Sequence, residues 1–407
     1  MTFRKRGRAV AKTTVFSQLI KIIPRTVFEN FVQQTQADKG IRRLDSWTWF
    51  GALLFSQCSK CDSVRSIERV FSQDSSGLRS LGFSVVKKST LADANQSRPS
   101  ELLERVFQFC LALAKKQTRS SGFDFPGELV ALDSTFLRLC LSLSPWAMYR
   151  RSPKGNNKSE MMNSAGVKIH TGIDLAGDLP NFIVIGEGRE KENGDLKVAR
   201  EKYKPKPGST TVMDRGYWNI DWFAEFENSG AFFITRECRR VKFRVAKSHK
   251  TNRTLGILCD QEIYFKGKSS RGRYPGVIRR ISYREPDTGK KLIFITNRFD
   301  LSAETICEVY RARWRIETFF KCLKQNLHVK RFMGFSLEAV KAQVWAALIA
   351  YLLVAIARMT VRSSIYIREA ISVIGTLLLL KMDLKLILAD IMPTSRHPPP
   401  LQQKFSF

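Results

Sequence analysis

The chain is poor in acid. Its 407 residues carry 37 Asp and Glu against 68 Lys and Arg, a formal charge of +31. Self-repulsion on that scale works against a compact state unless a polyanion balances it, so nucleic acid is the expected partner class. Histidine is scarce, at four residues. His170, in VKIHTGID, reads as a strand residue. The eight cysteines are scattered. The one C-x-x-C, Cys58 and Cys61, lacks a second Cys or His pair to complete a zinc site. No apolar segment follows the basic start MTFRKRGRAVAK, so reduced thiols and a cytoplasmic setting are expected. No apolar run reaches the roughly 20 residues that span a bilayer. The longest, Val344 to Ala357, is flanked by Lys341 and Arg358 and reads as a buried core helix, which excludes a membrane role. With 43% hydrophobic residues and only 14 Pro and 24 Gly, disorder is excluded as well. No internal repeat is visible.

The pattern along the chain changes several times. Residues 1–120 open with a basic arm and then show apolar residues at helical spacing, as in Phe16, Leu19, Ile20 and Ile23. Within them, GFSVVKKSTLADANQSRPS has the outline of a helix-turn-helix. Ser89 or Thr90 would cap its second helix, leaving Asn95, Gln96 and Arg98 exposed to read a groove. From 121 to 235, apolar strand-like runs alternate with helical segments, the mark of an α/β layer. Residues 236–290 differ again. Between Arg236 and Arg284 stand fifteen Lys and Arg against three acids, with short strands and turn residues, a basic β-rich insertion. Residues 291–365 resume the α/β pattern, and 366–407 read as a C-terminal helix and tail.

Three acids stand out. Asp133 follows Leu129-Val-Ala-Leu132 and Asp214 follows Thr210-Thr-Val-Met213. Both runs lack alternation, as strands covered on both faces do. A carboxylate at the end of such a strand is costly unless it binds something. The third is Glu317, on a helix expected from Glu304 to Leu327. At 100° per residue, Tyr310, Arg313, Glu317 and Lys324 fall within one 60° stripe, apart from an apolar face of Val309, Ala312, Ile316, Phe319 and Leu323. Hard oxygen ligands of this kind suit Mg²⁺ or Mn²⁺. Left to themselves, the same residues also allow a solvated face with an Arg313–Glu317 ion pair and two aspartates that merely begin turns.

The pattern Tyr310-x2-Arg313-x3-Glu317-x6-Lys324, with Asp133 in LDST and Asp214 in MDRGYW, resembles the Y-R-E-K signature and the upstream aspartates of bacterial insertion-sequence DDE transposases of the IS-four family. The resemblance implies an α/β, ribonuclease-H-like catalytic core interrupted by a β-rich insertion and preceded by a helical domain that binds DNA ends. It further implies that Asp133, Asp214 and Glu317 hold two Mg²⁺ ions, which Mn²⁺ can replace, and that Tyr310, Arg313, Lys324 and Arg215 contact DNA phosphates. The expected activity is cut-and-paste transposition through a hairpin intermediate. The partners would be double-stranded terminal inverted repeats and target DNA, with a homodimer in the synaptic complex near a bacterial nucleoid. Relatives stack a flipped base on a Trp of the inserted domain. Arg236–Arg284 contains none and offers Tyr264, Phe265, Tyr274 and Tyr283 instead. Two other readings stay open: a ribonuclease-H-like nuclease without strand transfer, and a basic DNA-binding protein without catalysis.

Overall fold

A computed structural model describes residues 11–390, apart from 60, 62, 74, 119–124, 141, 151–162, 187–193, 239–240, 326 and 328–331. The basic arm before residue 11 and the tail after 390 lie outside the described residues.

Among the described residues, the strands form one mixed ten-stranded sheet. Its first part pairs β1 (Leu129–Leu139) antiparallel with β3 (Asn163–Asp174), while β4 (Leu179–Gly186) and the short β2 (Met148–Arg150) line the other edge of β3. On its other side β1 runs parallel to β5 (Thr210–Met213), which runs parallel to β6 (Phe232–Arg236). The sheet then continues antiparallel through β10 (Lys291–Thr296), β9 (Ile278–Arg284), β8 (Ile257–Phe265) and β7 (Phe243–Ser248). The strands of the basic segment therefore extend this same sheet, joined to it through β10.

Apolar residues on alternate sides of β1 feed different cores, because successive strand side chains point to opposite faces. Leu129 and Ala131 join the core built with the helices before β1 and after β10. Val130 and Leu132 join Trp222, Phe223 and Phe226 under α8 (Asp195–Lys202) and α9 (Ile220–Asn228). Covering on both faces explains the unbroken LVAL run. The strand does not end with Leu132 but runs on to Leu139. Asp133 is thus inside β1, at the point where pairing with β5 stops and pairing with β3 carries on.

Among the described residues, seven helices precede the sheet: α1 (Val15–Ile20), α2 (Arg25–Thr35), α3 (Ser46–Cys58), α4 (Val64–Gln73), α5 (Ser75–Arg79), α6 (Lys88–Ser97) and α7 (Glu101–Thr118). They are started by local chemistry. Asp45, for example, accepts the Thr48 N–H at 2.7 Å, satisfying one of the unpaired amides of α3. The helix expected to read DNA is α6, and here the structure corrects the sequence. Neither Ser89 nor Thr90 caps it; Lys87 is the N-cap, and the Lys88 amide bonds Glu68 instead. Asn95 and Arg98 are buried. Asn95 Oδ1 accepts from the Trp49 indole at 2.8 Å, and the Arg98 guanidinium donates to the carbonyls of Leu44 and Asp45. Gln96 alone of the three is exposed.

After β10 come α11 (Ala303–Ala312), α12 (Trp314–Gln325), α13 (Leu337–Thr360), α14 (Ile367–Leu377) and α15 (Leu384–Asp390). Helix α13 is apolar on every side and packs on α3, α7 and α14. Among the described residues it is the helix long and apolar enough to cross a membrane, yet 94% of its apolar window is buried inside the protein. The first helix is tied to the segment between α14 and α15: the amides of Val15 and Phe16 bond the carbonyls of Leu380 and Leu378.

Candidate active site

Adjacent parallel strands bring the two aspartates together. Leu132 pairs with Met213, so Asp133 and Asp214 follow side by side at the same edge of the β1–β5 pair. Asp214 turns the chain as N-cap of a short 3-10 helix, Arg215–Tyr217, its Oδ1 accepting the Gly216 N–H at 2.7 Å. The Thr235 hydroxyl on β6 donates to the Asp214 carbonyl at 3.0 Å, tying that turn to the next strand.

Glu317 arrives from α12. The sequence leads one to expect a single helix from Glu304 to Leu327, whereas the structure breaks it at Arg313. From that break the Arg313 guanidinium donates through Nη1 to Asp133 Oδ2 at 3.1 Å and through Nη2 to Glu317 Oε1 at 2.8 Å. The strand acid and the helix acid are thereby held on either side of one cation. A second Arg fixes the helix from behind: Arg315 bonds the Leu175 carbonyl and pairs with Asp178 in the β3–β4 turn, which also accepts the Tyr351 hydroxyl of α13.

The charges do not balance. Burial pushes the Asp133 carboxyl up to about 6. The Ser134 amide and Arg313 oppose that rise, and the nearby Asp214 and Glu317 carboxylates add to it. Two acids share one guanidinium and a third carboxylate, Asp214, is near enough to act on Asp133, an arrangement that favours further positive charge. Among the described residues, no three His, Cys, Asp or Glu side chains already converge at metal-ligand spacing. Carboxylate oxygens are nevertheless the donors a hard divalent cation takes, and two of the three acids here are engaged by Arg313.

The residues that accompany Glu317 in the signature, and Arg215, take different positions. Tyr310 is buried, its ring 4.6 Å from that of Phe294 and beneath the Arg313 guanidinium at 5.8 Å, so it sits under Arg313 rather than beside it. Lys324 lies half-buried in the last turn of α12, about 10 Å along the axis from Glu317 at 1.5 Å per residue. Arg215 is exposed on the turn after Asp214.

Two features went unnoticed in the sequence. Trp314 is 60% exposed, three residues before Glu317 and on the same side of α12. The helical wheel already placed it near Glu317, so the signal was present. Asp195, at the start of α8, accepts the Ser134 hydroxyl and pairs with Lys168 at 2.9 Å, on the sheet face opposite Asp133. Nothing in the sequence spacing pointed to that cluster.

Comparison with known proteins gives this geometry its context. Residues 124–353 match the family model described as Transposase DDE domain, which is more than half the chain. The chain belongs to the DDE transposases. It is an enzyme family that acts on DNA and uses divalent metal ions. Residues 11–84 match a second model, a domain of unknown function (DUF4372). Among curated relatives, the chain is 27% identical over 325 residues to a Sinorhizobium fredii protein named as transposase y4zB, covering 78% of this chain and 85% of that one. It is also 27% identical to the Geobacillus stearothermophilus protein named as transposase for insertion sequence element IS5377, over 65% of this chain and 66% of that one. A Synechocystis protein named for insertion sequence element IS4SA is 24% identical over 65% and 70% of the two chains. A solved structure, the piggyBac transposase synaptic complex with hairpin DNA, overlays with a TM-score of 0.46 at 11% identity, covering 94% of this chain and 83% of that chain.

Proposed function

We propose that this DDE transposase cuts and joins the inverted-repeat ends of its own insertion sequence at Asp133, Asp214 and Glu317. The observation that carries the reading is the meeting of Asp133, on β1, with Glu317, on α12, through one guanidinium, beside Asp214. These three carboxylates would hold two Mg²⁺ ions, or Mn²⁺ in their place. Bound there, the ions supply activation of water or of a DNA 3′-hydroxyl and stabilisation of the departing oxygen in an in-line displacement.

The chain's own groups orient the DNA. Arg313, Lys324 and Arg215 present charge-assisted donors to phosphate oxygens around the acids, and the Arg fork matches phosphate in two-point fashion. Tyr310 supports Arg313 from below. An antiparallel β4-β3-β1 unit followed by parallel β5 and β6 supports a ribonuclease-H-like reading of the core. The basic strands β7 to β9 would hold flanking backbone. A hairpin intermediate needs an aromatic platform for a displaced base, and exposed Trp314 beside Glu317 is the residue suited to it. Pairing two ends calls for a homodimer in the active complex.

The test supplies a duplex carrying the element's end with a free 3′-hydroxyl, Mg²⁺ and a supercoiled target. Joined products that disappear in Asp214→Asn, with DNA binding retained, are expected. Cleavage without any joining would instead favour the nuclease reading.

A further inference from the structure

Arg313 is placed oddly for a residue whose task is to grip DNA. Its side chain is 14% exposed, and both Nη atoms donate to carboxylates, at 3.1 Å to Asp133 and 2.8 Å to Glu317. The Tyr310 ring supports it from one side. The oxygens it holds are those a divalent ion would take. A guanidinium and a divalent ion compete for them, because the two cations repel at contact distance.

We infer that Arg313 is the resident cation of the carboxylate site, excluding a divalent ion from Asp133 and Glu317 until a DNA phosphate draws the guanidinium away. This rests on the proposed role of the three acids as metal ligands. Exchange is feasible because a phosphate offers Arg the same forked, charge-assisted pair of bonds that the carboxylates do. Side-chain rotation about the Arg stem is enough, with no movement of β1 or α12. The consequence is coupling. DNA that engages Arg313 raises the affinity for metal, and by reciprocity metal raises the affinity for DNA. The centre is then charged on DNA and held uncharged on the free protein, which restrains stray hydrolysis by so basic a molecule.

The experiment titrates the full chain with Mn²⁺ and counts free ion by electron paramagnetic resonance, with no DNA present. Arg313→Gln should bind Mn²⁺ tighter than wild type by about tenfold, within the range usual for coupled sites. Arg313→Lys, which keeps the charge but loses the fork, should fall between them. Adding the end-bearing duplex should tighten Mn²⁺ binding to wild type and leave Arg313→Gln nearly unchanged, after subtracting ions held by the duplex alone. Thermal unfolding provides a second readout: Mn²⁺ should raise the midpoint of Arg313→Gln more than that of wild type. Equal Mn²⁺ affinities for wild type and Arg313→Gln would overturn the inference. A further variant separates this from failure of the site itself. If Asp133→Asn, made in the Arg313→Gln background, leaves Mn²⁺ binding intact, the acids do not hold metal and the proposed catalytic assignment falls too.

Discussion

The joint between the basic strands and the catalytic helices should depend on one buried ion pair, Asp260 with Arg279. Both side chains are 7% exposed. Arg279 gives Nε to Asp260 Oδ1 at 2.9 Å and Nη2 to Oδ2 at 2.7 Å, while Nη1 reaches the carbonyls of Arg298 at 3.2 Å and Leu301 at 2.6 Å. Those carbonyls belong to the link from β10 into α11, the helix that leads to Arg313. In Asp260→Ala the Arg charge stays buried with only the carbonyls as partners, a change that costs about 3–5 kcal/mol. The paired replacement Asp260→Leu with Arg279→Met removes both charges and leaves two carbonyls short of a donor. It should cost less, about 1–3 kcal/mol. A chain of this size need not unfold in one step, so hydrogen exchange of peptides from β8 and β9 is the suitable assay. The single variant should exchange there roughly a hundredfold to a few thousandfold faster, by 1.4 kcal/mol per tenfold. Exchange unchanged in Asp260→Ala, or a double variant worse than the single one, would refute the reasoning.

Other outcomes can be checked separately. Burial pushes the His170 imidazole from 6.5 down to about 4, against the pull of Asp195 and with Lys168 adding to the fall. The unfolded chain then binds the extra proton first, so stability should drop as pH falls from 6.5 towards 4, by on the order of 3 kcal/mol. His170→Phe should flatten that drop in chemical-denaturation midpoints; parallel losses in both proteins would contradict it. Arg244 and Arg271 both lie 5.8 Å from the Tyr264 ring. Replacing either by Ala should weaken binding to unrelated duplexes alike and lower the salt slope by about one, measured by fluorescence anisotropy. A loss confined to one sequence would contradict a backbone role. Trp314→Ala should cut hairpin yield on end-bearing duplex and cost about 1–3 kcal/mol of binding to an unpaired base; unaltered yield would exclude Trp314 as the platform.

Some of this architecture could be read directly. Strand Thr210–Met213 matches the sequence reading, since a short apolar run ends at Asp214. Helix α13 was legible from its unbroken apolar run. The misreadings share a cause, namely partners remote in sequence. Asn95 and Arg98 look like surface residues until Trp49 and the Leu44 and Asp45 carbonyls are placed beside them. The break at Arg313 accompanies a bond to Asp133, 180 residues earlier. The basic segment reads as an insertion, but its attachment through β9 and β10 to β6 is long-range pairing that no local pattern encodes.

The central claim is that Asp133, Asp214 and Glu317 form one metal-dependent centre for cutting DNA strands. A labelled duplex carrying the element's end, incubated with Mg²⁺ and either wild type or Glu317→Ala, tests it most directly. Wild type should nick at the end, and Glu317→Ala should bind the duplex as well but leave it whole. Nicking by both proteins would contradict the assignment of Glu317, and binding without nicking by both would contradict the catalytic account as a whole.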